Sequence, residues 1–285
     1  MRSERGDLRE RHRGRARTPF LLALFPAVLY CPLAAQVPPD LARERADFAH
    51  WLQSAPNSPL VAVAHQPIGG GLTLGPPDSD IPLPGLPETR IEEQNGAVTW
   101  TQTDGRRALG WERVIPVGAY AIYLTGSPGH AVLEVFGGSR RPFTPTYYPY
   151  DSTLALIGTL SPASKPRQLR ILTLDGVEVE ATDAGTLRVS LAGTTTTLRV
   201  YRIPDPATDE WDLTIYFRDG TSDRGSYPAG RFVSVAPLPV GRYRLDFNRA
   251  RNPFCAYSSV YPCPVPWPGN TVDAEIRAGE MYPPK

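Results

Sequence analysis

Thr195–Ile203 reads TTTLRVYRI. Across Leu198-Arg199-Val200-Tyr201-Arg202-Ile203 apolar and charged residues alternate with a period near two. That pattern makes the segment a β-strand with one buried face and one wet face. The threonines before it favour strand over helix on steric grounds and need no functional reading.

The same texture extends in both directions. Thr186–Leu191, Trp211–Phe217, Arg231–Val235 and Arg242–Phe247 read as strands. Gln168–Leu174 and Val177–Thr182 flank Asp175-Gly176, a hairpin turn signal. Upstream, Val61–Ala64, Leu72–Leu74, Ala97–Thr103, Trp111–Pro116, Ala119–Leu124 and Ala131–Phe136 are short β-type runs, and Asn95-Gly96 marks another hairpin. Proline accounts for 32 of 285 residues, about twice its average share. It interrupts helices and central strands, so many short strands joined by rigid loops are expected.

The predicted fold class is therefore all-β, with two β-rich domains. Residues 58–138 form a small sandwich, 139–152 a linker, and 153–285 a second sandwich or barrel. Gly137-Gly138-Ser139-Arg140-Arg141-Pro142 marks the boundary between them. One helix precedes them within residues 36–57: in Pro39–Gln53, PDLARERADFAHWLQ, Leu41, Phe48, Trp51 and Leu52 share a face, and Asp40 is placed to cap it. The first β domain is its expected packing partner. His50 on this helix reads as an exposed or half-buried residue rather than a ligand.

Met1–Arg17 is basic and Pro19–Ala35 is apolar, ending in small residues at Leu33-Ala34-Ala35. Residues 1–35 read as a secretory signal cleaved after Ala35. A membrane anchor is the competing reading, but the run is short and holds Pro26 and Pro32. The protein is thus expected to be exported, periplasmic or secreted, and to meet a membrane only during export. Cleavage removes Cys31 and leaves Cys255 and Cys263. In an oxidising compartment a disulfide between them leads, ahead of a nucleophilic Cys255 or a metal site. It closes a short loop and stabilises by roughly 2–3 kcal/mol. Two sulfurs without a neighbouring His or Cys fall short of a zinc set, so no metal and no cofactor are expected.

Formal net charge is +1 for the whole chain and −3 once residues 1–35 are set aside. A slightly acidic body argues against nucleic acid as a partner. His65 precedes the glycine run Gly69-Gly70-Gly71, which lacks the lysine of a phosphate-binding loop and reads as a flexible connection. His130 reads as a loop-end residue.

Polar residues gather in the last third. Asp219, Thr221, Tyr227, Arg231, Asp246, Asn248 and Arg249 are the candidate pocket. Asp246 and Asn248 lie two apart on a predicted strand and share a face, with Phe247 pointing into the core. A carboxylate, an amide and two guanidinia on one wall suit a polar or anionic ligand. They equally suit a buried network that pins the loop behind them, since buried charges persist when paired. Beyond them, Pro262, Pro264, Pro266 and Pro268 alternate with Cys263, Val265 and Trp267 as an extended strap, which Tyr261 and Trp267 anchor by burial.

Phe217-Arg218-Asp219-Gly220-Thr221-Ser222, Ser226-Tyr227-Pro228-Ala229-Gly230-Arg231-Phe232, Leu245–Asn270 and Ile276-Arg277-Ala278-Gly279-Glu280 follow one another in order. This series resembles the family called domain of unknown function (DUF) 1684, over residues 211–280. The chain departs from the family pattern at Pro228, Arg251 and Phe254. Leu74–Pro84 with Asn95-Gly96 is similar to a forkhead-associated (FHA) domain. Pro76 stands where a phosphothreonine reader has arginine, so phosphopeptide binding is not implied. The resemblance implies an architecture and a site location but names no activity. The expected function is a non-catalytic binding or structural protein with a polar pocket in the C-terminal β domain, taking a small polar ligand or a protein partner. An enzyme using the same cluster, such as a hydrolase, is the alternative.

Overall fold

The computed structural model describes residues 36–204 and 211–282. The proposed signal segment lies outside the described residues. Helix α1 spans Pro39–Ser54. It starts one residue before the sequence-expected cap, because Pro39 fits the first helical position, where no N–H is needed. Asp40 lies inside the first turn instead of capping it.

Sixteen strands follow among the described residues. Nine belong to the N-terminal body: β1 Ala62–Pro67, β2 Leu72–Gly75, β3 Ile81–Pro82, β4 Thr89–Gln94, β5 Ala97–Gln102, β6 Gly105–Ala108, β7 Ile115–Val117, β8 Tyr120–Ser127 and β9 His130–Phe136. They form a sheet ordered β1-β9-β8-β7 and a second ordered β3-β2-β4-β5-β6. Leu72, Leu74, Ile91, Val98 and Trp100 of one sheet share a core with Ile122, Leu124, Leu133 and Val135 of the other. The two sheets therefore pack face to face. The expected hairpin at Asn95-Gly96 joins β4 to β5 with φ of 52° and 77°, the primed-turn conformation that matches strand twist.

The C-terminal body contains β10 Ala155–Pro162, β11 Gln168–Leu172, β12 Glu178–Leu191, β13 Thr194–Pro204, β14 Trp211–Phe217, β15 Arg231–Leu238 and β16 Arg242–Asp246. The sheet runs β10-β16-β15-β14-β13-β12-β11, and β10 also pairs with β12. That extra pairing closes β10, β16, β15, β14, β13 and β12 into a six-stranded barrel, with β11 attached outside the ring. Closure removes sheet edges that would otherwise template aggregation. Among the described residues the fold is all-β apart from α1 and short 3-10 turns.

Barrel closure depends on β12, which sequence periodicity splits into two strands. It is one strand bent by a bulge between Asp183 and Gly185. Gly185 has φ +118°, and a Cβ there would overlap the Ser161 carbonyl on β10. Asp183 holds the bulge: one carboxylate oxygen accepts the Gly185 N–H at 3.0 Å and the other meets Arg199 at 2.7 Å. Gly185→Ala is therefore expected to destabilise the protein by about 1–3 kcal/mol, measured as a lower urea midpoint. An unchanged midpoint would show that the seam tolerates a side chain.

Leu187, Leu198, Val200, Ile215, Val233 and Leu245 fill the barrel, and Val272, Ile276 and Ala278 of the C-terminal segment join them. The outer face of β13 is drier than its alternation suggests. Tyr201 and Ile203 are buried in a second cluster with Tyr216, Phe232 and Trp267. Trp267 lies edge-on to Tyr201, with ring centroids 4.4 Å apart. Asn270 then plugs the wall where β13 and β14 part. Its side chain accepts from the Arg199 N–H at 2.7 Å and donates to the carbonyls of Arg199 at 2.9 Å and Tyr216 at 3.0 Å.

Helix α1 docks on the barrel side rather than mainly on the first β region. Phe48 meets Tyr257 and Trp51 meets Phe254, while the Arg251 guanidinium sits 3.7 Å from the Phe48 ring centroid. Aromatic residues just after β16 offer the helix a larger apolar partner than the short sandwich strands do.

Candidate functional site

The candidate residues separate into three groups. In the first, Asp219 begins the turn after β14 and Arg231 opens β15. Arg231 is 1% exposed. Its Nη2 donates to Asp219 Oδ2 and to the Ile276 carbonyl, each at 2.9 Å, and its Nη1 donates to the carbonyls of Ala278 at 2.5 Å and Glu280 at 3.3 Å. Asp219 also accepts from the Thr221 hydroxyl at 2.8 Å and the Ile276 N–H at 2.9 Å. Thr221 continues to Ser226 at 2.7 Å. Burial pulls the Arg231 guanidinium down from its ordinary value and the Asp219 carboxylate pushes it back up. This group latches residues 276–280 against the barrel.

The second group is Asp246, Asn248 and Arg249. Strand β16 ends at Asp246, and Phe247–Arg249 is a 3-10 turn rather than the expected strand extension. Asp246 caps that turn, accepting the Asn248 N–H at 3.0 Å and its side-chain amide at 2.8 Å. Asn248 grips Asp151 by both backbone groups, accepting at 3.0 Å and donating at 2.8 Å. Arg249 pairs with Asp40 and Glu44 of α1. Phe247 is fully buried, as its alternation implies. These residues fasten α1 and the segment before β10 to the barrel.

Tyr227 forms the third group. Its hydroxyl lies 3.3 Å from both Cys255 Sγ and Cys263 Sγ, and those cysteines are joined by a disulfide, with Cα atoms 5.5 Å apart. The Tyr227 ring packs edge-on against Tyr282 at 4.8 Å. Both tyrosines line an open cleft of 760 Å³ walled by residues 223–229. Its loop wall is held by Asp223 N–H to the Ser226 carbonyl at 3.0 Å and Arg224 N–H to the Thr221 carbonyl at 2.8 Å. Of the seven candidates, Tyr227 is the one that lines this cleft.

Two further groups have weak sequence signals. Glu280 is 0% exposed; it accepts the Asn252 N–H at 2.9 Å and the Tyr257 hydroxyl. Burial pushes its carboxyl up, while Tyr257 and Asn252 hold it back. His65 and Glu134 face each other across β1 and β9, 3.6 Å apart with side chains 4% and 7% exposed. The Tyr261 ring of the strap packs at a tilt against His65, with centroids 5.0 Å apart, placing this pair where the two β bodies meet.

These features describe an all-β protein whose closed barrel is fastened by polar latches, with an aromatic cleft beside a disulfide. The chain belongs to the family of proteins of unknown function DUF1684, whose family model matches residues 144–281. That range covers the barrel, the Asp219–Arg231 latch, the residue 223–229 wall of the cleft and the disulfide, whereas Tyr282 and helix α1 lie outside it. The chain is also similar to a solution NMR structure of an uncharacterized protein from Haloarcula marismortui, with 30% identity and a TM-score of 0.42, over 49% of this chain and 76% of that one. No curated protein matches.

Proposed function

We propose that this is an exported, non-catalytic binding protein whose ligand surface is the Tyr227–Tyr282 cleft. The carrying observation is that Tyr227 lines an open cleft while Asp219, Arg231, Asp246, Asn248 and Arg249 are engaged in internal pairs. Half-buried tyrosine rings offer a flat apolar wall, and exposed Asp223 and Arg224 supply opposite charges at the rim. The ligand class that fits is a small molecule with one flat apolar face and a polar edge. Export is supported by the basic-then-apolar Met1–Ala35 and by the disulfide. The slightly acidic body favours such a ligand over nucleic acid.

A thermal-shift panel of sugars, free amino acids and dipeptides on the oxidised protein tests this reading. At least one class is expected to raise Tm in the wild type and lose that effect in Tyr227→Ala and Tyr282→Ala. No shift with any compound, or equal shifts in wild type and both variants, would remove the cleft as the ligand surface. Turnover of a panel compound would replace the binding reading with an enzymatic one.

A further inference from the structure

We infer that a second cleft, between the sandwich and the barrel, binds a small organic cation with an apolar body. Its volume is 420 Å³, enough for one aromatic ring with a short chain. Thr125–Ser127 at the end of β8 form the sandwich side. The barrel side is Val177, Val179, Ile203 and Trp211, with Asp175 and Glu180 among them.

The charge in this cleft has one sign. Among the described residues lining it, every ionisable group is an acid: Asp175 and Glu180. Asp175 Oδ1 accepts from the Thr173 hydroxyl and from the Val177 N–H at 3.3 Å, which fixes the carboxylate in place. The nearby Arg170 supplies no free counter-charge, because it pairs with Glu178 at 2.7 Å and contacts the His130 ring at 3.2 Å. The Asp175 field reaches past the cleft: after burial, its charge helps raise the titration of Glu134, Tyr123 and Tyr261. A cation in the cleft would relieve this one-signed field.

The apolar part of the ligand has its own surface. Trp211 leaves 52% of its area exposed, and an indole face attracts an ammonium group through its quadrupole. Val177, Val179 and Ile203 complete an aliphatic wall.

Isothermal titration of the full chain with phenethylamine and with 2-phenylethanol tests the inference, since the two share a body and differ in the charged group. The amine is expected to bind about tenfold more tightly than the alcohol. Asp175→Asn should close that gap, Glu180→Gln should narrow it, and Trp211→Ala should weaken the amine. Glu180 is exposed, so its variant reports even where Asp175→Asn perturbs the turn. Amide shift changes on titration should centre on Val177, Val179 and Trp211. Equal affinities for both compounds, no amine binding at millimolar concentration, insensitivity to both acid variants, or shift changes centred on Tyr227 and Tyr282 would each overturn it.

Discussion

Arg231→Met is expected to destabilise the protein by about 3–5 kcal/mol, read from urea unfolding. The reason is the number of groups orphaned at once. Without the guanidinium, the buried Asp219 carboxylate loses its counter-charge and the carbonyls of Ile276, Ala278 and Glu280 lose a donor. Buried groups left unpaired cost far more than a satisfied pair contributes. Arg231→Lys should recover little, because one ammonium cannot span a carboxylate and three carbonyls in a fixed fork. Adding Asp219→Leu to Arg231→Met should restore part of the loss, since it removes the stranded carboxylate. A loss below about 1 kcal/mol for Arg231→Met would be an ordinary surface effect and would end the view that this pair latches residues 276–280.

The second large effect is on alkaline stability. Burial, with a contribution from the Asp175 charge, raises the Glu134 carboxyl from 4.5 to about 8. The folded protein therefore holds a proton there that the unfolded chain has already released. The stability this gives is complete below about 4.5 and is lost as pH rises through about 8, a change on the order of 5 kcal/mol. The groups facing Glu134 are His65 at 3.6 Å, Tyr123 opposite it on β8, Asp175 and Tyr261. His65 acts in the opposite sense. Burial lowers it from 6.5, so its contribution is present above that value and is lost as pH falls through the folded one. Tyr123, raised to about 12, stays neutral throughout. Glu134→Gln should match the wild type near pH 5 and exceed it near pH 9 in melting temperature. Parallel profiles for the two proteins across that range would refute the assignment.

Much of the fold can be read from local pattern. Alternation in Leu198–Ile203, the Asp175-Gly176 and Asn95-Gly96 turns, and the proline spacing of the strap all concern neighbours in sequence, where steric preference acts directly. Cys255 and Cys263 belong with them, being eight residues apart. The elements that escape are informative. Strand β10 carries Gly158 and an exposed Ile157, so its period-two signal is weak. The bend at Asp183–Gly185 reads locally as a gap between two strands, because nothing nearby reveals that β10 passes against the missing side chain.

The candidate polar residues show the same division. Their types and positions mark them as chemically important, and the family pattern covers them. Their partners are distant: Arg249 meets Asp40 across 209 residues, Asn248 meets Asp151 across 97, and Arg231 meets Ile276 across 45. A strand predicted through Asn248 becomes a turn because Asp246 finds a better role as its cap. By itself the sequence determined strand-rich composition, turn sites, the cysteine pair and which residues carry the polar chemistry. Only the tertiary structure decided that β10 closes on β12, that six of the seven candidates are taken up by partners within the chain, and that Tyr227 lines a cleft. Local periodicity records which side of a strand is dry, whereas pairing and closure are fixed by contacts between segments that no short-range pattern encodes.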